Sequence, residues 1–107
     1  MESVNFRVTS NKQNRIIGIE MGGMLVLENA QLIKNELLKI LDMLNGQVKI
    51  TISEPDELDI SFIQLLVAFI RSMDQLKVSY QFDWMIDEDQ KILLEHVGLS
   101  QELYIQN

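Results

Sequence analysis

Residues 47–82, QVKITISEPDELDISFIQLLVAFIRSMDQLKVSYQF, decide how this chain folds. Val48, Ile50 and Ile52 alternate with Lys49, Thr51 and Ser53, the period of a strand with one face buried. The acidic loop Glu54 to Asp59 follows and holds the single proline, Pro55. A helix is then predicted from about Ser61 to Met73. Its apolar residues Phe62, Ile63, Leu65, Leu66, Val67, Phe69, Ile70 and Met73 spread over roughly 200° at about 100° per residue. One sheet face is too narrow to cover that arc. Either neighbouring helices join the sheet in burying it, or one edge is a docking surface. A further strand is predicted at Val78 to Phe82, and strands joined through a helix imply parallel neighbours with right-handed crossovers.

Upstream, Ala30, Ile33, Leu37, Ile40, Leu41 and Leu44 recur at three and four and predict a helix from Glu28 to Leu44, with Gly46 as its stop. Before it, Asn5 to Thr9 and Arg15 to Met21 read as a hairpin around the polar cluster Ser10 to Asn14, and Gly22 and Gly23 interrupt the second strand. Downstream, Asp87 suits the cap of a third helix, with Gln90 reaching back from the third position. Gly98 suits that helix's end with Leu99 folding back, and Leu103 to Ile105 can form a last strand. The order strand, strand, helix, strand, helix, strand, helix predicts an α/β fold over residues 1–107 as one domain: a mainly parallel or mixed sheet with an N-terminal hairpin and helices packed on it. Ile33, Leu37, Ile50, Ile52, Leu65, Leu66 and Leu93 are expected in one core.

Apolar residues at 47% and charged residues at 23% fit a globular chain rather than a disordered one. With no cysteine, thiol redox chemistry, disulfides and thiolate metal sites are excluded. The net charge of −7 opposes binding to nucleic acid or to anionic membranes, and the cations are scattered rather than gathered on one face. No apolar run approaches the roughly 20 residues that cross a bilayer. The start, MESVNFRVTS, lacks the basic and apolar regions of a secretion signal, so a cytoplasmic location is expected.

Acidic residues gather before two helices, as Glu54, Asp56, Glu57 and Asp59, then as Asp83, Asp87, Glu88 and Asp89. Both groups follow strands and so belong at the carboxyl edge of a parallel sheet. They complement helix dipoles; converging carboxylates could instead hold magnesium, or an acidic rim could face a basic partner. Gly22 and Gly23 lack the spacing and the following Lys of a phosphate loop, and read as a turn or a close backbone approach. His96 has no second histidine or cysteine to share a metal, and none of the serines sits in a nucleophile elbow. Neither a cofactor nor catalysis is expected.

Three segments carry a family resemblance. GMLVLENA (23–30), ahead of an amphipathic helix, resembles the G-x-L-x-x-x-x-A segment of STAS domains, the anti-sigma-factor antagonist fold. LDISFIQLLVAFIRSMDQLKVSYQF (58–82) resembles the family's central I-D-S-S-G-I-Q-L-L signature with its helix and strand, and LLEHVGL (93–99) resembles its later L-x-x-x-G-L segment. The resemblance implies a STAS-like, non-catalytic protein-interaction module in bacterial regulation. It would dock through Asp59, Ile60, Ser61, Phe62 and Gln64 onto a protein such as a kinase-like anti-sigma factor.

Departures from the family alter that expectation. The family's phosphorylatable Ser or Thr falls at Ile60, which has no hydroxyl, and Phe62 replaces the usual glycine. Ser61 is the only nearby hydroxyl that could substitute as phosphoacceptor, but one residue along a helix turns it about 100° from the surface a kinase reads at position 60, so no phosphorylation switch is expected; that hydroxyl would also suit a helix cap. The chain ends soon after Gly98, leaving little room for the family's last helix. An alternative within the same resemblance is an accessory subunit that binds the ATPase of a lipid-transporting ABC system. A receiver-like phosphoacceptor enzyme would need an acidic pair where Gly22 and Gly23 stand.

Overall fold

A computed structural model describes residues 3–96, apart from the Asn45 side chain. The expectations placed on Gly98, Leu99 and Leu103 to Ile105 lie outside the described residues. The elements are β1 (Val4–Ser10), β2 (Ile16–Leu25), α1 (Leu27–Leu41), β3 (Leu44–Ser53), β4 (Glu57–Leu58), α2 (Ile60–Gln75), β5 (Ser79–Met85) and α3 (Glu88–His96). The α/β order read from the sequence is therefore present, with the short β4 added.

The sheet runs β1-β2-β3-β5, with β4 pairing the end of β2. Only the β1–β2 hairpin is antiparallel among these pairs; β2–β3, β3–β5 and β2–β4 are parallel. Asn11 builds the hairpin turn. Its Oδ1 accepts the amides of Gln13 and Arg15 at 2.9 and 3.1 Å, and Asn14 takes the left-handed φ of 61° that Asn tolerates.

Alternation along the strands sorts the sheet into two unlike faces. Ile19, Met21, Val48, Ile50, Ile52 and Phe82 point into the core, where they meet Ile33 and Leu37 of α1, Ile63 and Leu66 of α2, and Leu94 of α3. On the other face, Arg7 pairs with Glu20 and Lys49 with Asp83, each at 3.9 Å, and these side chains are well exposed. The helices thus form one layer on one side of the sheet. Each fully buried Leu, Ile or Phe in this layer contributes about 1.5–3 kcal/mol over leaving it in water. Of the predicted core residues, Ile33, Leu37, Ile50, Ile52 and Leu66 fall in this cluster, whereas Leu65 and Leu93 are only partly buried and pack against it, and Leu94, not Leu93, is the fully buried residue of α3.

Several boundaries differ from those expected. β2 runs straight through Gly22 and Gly23 to Leu25. Their lack of a side chain serves close approach: a Cβ on Gly22 would lie 2.7 Å from the Ser53 carbonyl oxygen, and one on Gly23, whose φ is +79°, 2.6 Å from that of Ser3. Helix α1 ends at Leu41, and Leu44 is already in β3. Gly46, at φ +83°, stops no helix but absorbs an irregularity inside β3, where Ile16 pairs with Leu44 and Gly18 with Lys49. Asp83 is a strand residue rather than a loop acid.

Candidate functional site

The loop expected between β3 and α2 is held by backbone hydrogen bonds at both ends. Glu54, at φ 44°, donates its amide to Met85 O at 2.8 Å, Asp56 to Gly23 O at 2.9 Å, and Asp59 to Leu25 O at 3.1 Å. Glu57 and Leu58 pair with Met24 and Leu25 as β4. Leu58 is buried and pins the loop to the core, while Glu54, Asp56 and Glu57 face solvent.

Asp59 occupies the centre of this end of the molecule. It is the N-cap of α2 in extended conformation, and its Oδ1 accepts the Phe62 amide at 3.2 Å. Its Oδ2 accepts the amide of Leu27, the first residue of α1, at 2.9 Å. The α1 cap position is Val26, whose side chain has no acceptor for the free amides of the first turn. One carboxylate therefore closes the starts of two helices, and both positive dipole ends converge on its charge. Asn29, buried in α1, donates its side-chain amide to Met24 O at 2.8 Å and fixes the chain leading into the helix.

Around the carboxylate the expected docking residues separate by burial. Ile60 is 46% exposed and Leu27 63%, so the two residues next to the clamp, one along the chain and one across it, both offer apolar side chains to solvent. Gln64, one turn along α2, is exposed as well. Phe62, expected on the docking surface, is instead fully buried. It is a core anchor, because the arc of α2 that faces the sheet and its neighbours begins there. Ser61 is half-buried at the second helical position, and the capping role considered for it belongs to Asp59.

The second acidic loop is stitched to the first. Gln90 donates its backbone amide to Asp87 Oδ1 at 2.8 Å and accepts the Asp87 amide on Oε1 at 3.1 Å, the reciprocal cap expected for α3. The same Gln90 side chain donates from Nε2 to Pro55 O at 3.1 Å. Between the two loops lies a cleft of about 440 Å³ lined by Glu54, Trp84, Met85 and Asp87, among others. The carboxylates do not converge: among the described residues no group of three or more His, Asp or Glu side chains is placed to hold a metal ion. His96 ends the described part of α3. No helix among the described residues is long and apolar enough to cross a membrane.

Leu27 and the double cap were missed by sequence reasoning. The available signal was an amphipathic helix that begins after Val26 with no Ser, Thr, Asp or Asn at its cap, which implies an acceptor supplied from elsewhere. No family model matches the chain, and a search of curated proteins finds no match either.

Proposed function

We propose that this protein is a non-catalytic, STAS-like protein-interaction module that works in the cytoplasm and docks a signalling protein at the paired starts of α1 and α2. The observation that carries the reading is the Asp59 carboxylate bound to both helix starts, which holds exposed Leu27 and Ile60 on rigid backbone. Pre-organised apolar anchors of this kind bind with little ordering cost. Exposed Asp56 and Glu57 on the adjoining loop give the site an acidic border, suited to a basic partner. An apolar Ile60 where the resembling family carries its phosphorylated hydroxyl makes the platform constitutive, so that partner abundance governs binding.

The test is affinity capture from the native cell with the wild-type chain and with Ile60→Glu, partners being identified by mass spectrometry. A kinase-like anti-sigma factor retained by the wild type and lost with Ile60→Glu is the expected result. Recovery of an ABC ATPase with its permease would transfer the module to lipid transport. A partner held equally by both proteins would remove Ile60 from the interface.

A further inference from the structure

We propose that the Asn45-Gly46 pair is a site of spontaneous covalent modification, at which the folded chain deamidates through a cyclic imide and accumulates aspartate and isoaspartate at the entry to β3. It is the single Asn-Gly pair in the sequence. Glycine after asparagine favours the reaction because no Cβ crowds the attacking amide nitrogen. In a folded protein the backbone then decides the rate, since an amide locked into a helix or a ladder must first be released. Here the ladder is interrupted. β3 takes five steps from Leu44 to Lys49 while β2 takes two from Ile16 to Gly18, so the surplus residues bulge out ahead of buried Val48. Among the described pairs neither Asn45 nor Gly46 stands opposite a residue of β2 or β5, and pairing with β5 starts at Gln47.

The surroundings of Gly46 suit the chemistry. The residue is exposed, and a Cβ built on it would meet no atom within 4 Å, so water and hydroxide have open access. Its φ of +83° is strained for any other residue, so the bulge that frees this stretch also demands the glycine that makes it reactive. Hydroxide takes the proton of the Gly46 amide, the nitrogen bonds to the carboxamide carbon of Asn45, and ammonia leaves with a proton from water, which restores the hydroxide and closes a succinimide. Water then opens either carbonyl of the ring, giving aspartate one way and isoaspartate the other. The product adds a carboxylate to a chain already at −7, and the extra backbone carbon of isoaspartate falls where the register is already broken. Other asparagines are held in place. Asn29 and Asn35 lie within α1, and Asn11 Oδ1 accepts the amides of Gln13 and Arg15.

The test incubates the folded chain beside the free peptide LNGQV (44–48) in neutral and mildly alkaline buffer, with peptide mapping by mass spectrometry and electron-transfer fragmentation to separate the two isomers. The segment holding Asn45 should gain about 1 Da as both aspartate and isoaspartate, faster at the higher pH, while those holding Asn11, Asn29 and Asn35 stay unchanged. Its rate should lie within about tenfold of the free peptide, since an amide outside the ladder has little structure to escape. Asn45→Gln, which would need a larger ring, should keep the circular dichroism of the wild type and lose the mass gain. A rate more than about a hundredfold below that of the peptide would overturn the proposal, because the bulge would then protect the bond as a ladder does. Aspartate without isoaspartate would overturn it as well, since direct hydrolysis forms no imide.

Discussion

Asp59 accepts the Leu27 amide at 2.9 Å across 32 positions of sequence, while its other oxygen caps its own helix through Phe62. The stability of α1 is thereby made to depend on a residue outside it.

Substitution at Asp59 should show that dependence directly. Asp59→Ala leaves two helix starts uncapped and should cost about 2 kcal/mol or more, given that one lost cap costs about 0.5–2 kcal/mol. Asp59→Asn keeps a single acceptor oxygen and should lose about half as much. Urea denaturation of the two variants checks this, and equal stability of Asn and wild type would mean that one of the two hydrogen bonds contributes nothing.

The strand glycines should differ sharply in tolerance. Gly22→Ala forces a methyl group against the Ser53 carbonyl oxygen and should cost roughly 1–3 kcal/mol. At Gly18 a Cβ would meet its nearest atom, Thr9 Cβ, at an ordinary 3.4 Å, so Gly18→Ala should be close to neutral. Thermal denaturation separates the two, and a neutral Gly22→Ala would show that β2 and β3 have room to part.

Gln90 carries three hydrogen bonds, two within its own helix start and one to Pro55. Gln90→Ala should cost about 1–2 kcal/mol and loosen α3 from the β3–β4 loop. Gln90→Glu keeps the acceptor for the Asp87 amide but loses the donor to Pro55, so its effect isolates the link between the loops. Backbone amide exchange at Glu54, Asp56 and Glu57 should accelerate in both variants.

Phosphorylation should be absent at the start of α2. Ile60 has no hydroxyl, and Ser61 is half-buried one residue further along a helix that already has its cap. Intact mass spectrometry of the chain from its native cell, across growth and stress conditions, should show no phosphorylated species. A substantial one that disappears in Ser61→Ala would make the platform switchable.

Local patterns were legible before any coordinates. Val48, Ile50 and Ile52 declared β3 through strict alternation, and Asp87 with Gln90 declared the start of α3 because both partners of that cap lie within one turn. Leu44 misled because it stands three residues beyond Leu41, so helical spacing continued across a reversal of the chain. Gly46 then served as a plausible helix stop when its positive φ actually belongs to a strand irregularity. Glu57 and Leu58 form a strand too short to show a period. At the candidate site, Asp59, Ile60 and Gln64 were named only through likeness to a signature, whereas burial of Phe62 and exposure of Leu27 depend on how α1 and α2 sit against their neighbours. No local window holds that information.

The position of β3 also shapes how the chain can assemble. It has a parallel partner on each side, β2 and β5, and parallel strands cannot zip from a tight turn. Each pairing waits for a whole crossover, α1 in one case and α2 in the other, so the β1–β2 hairpin can close early while the middle of the sheet forms only as helices collapse onto Ile50 and Ile52. Because β3 is paired along both edges and covered by helices on one face, freeing its backbone takes the opening of the whole sheet, and its amides should be among the slowest in the molecule to exchange with deuterium.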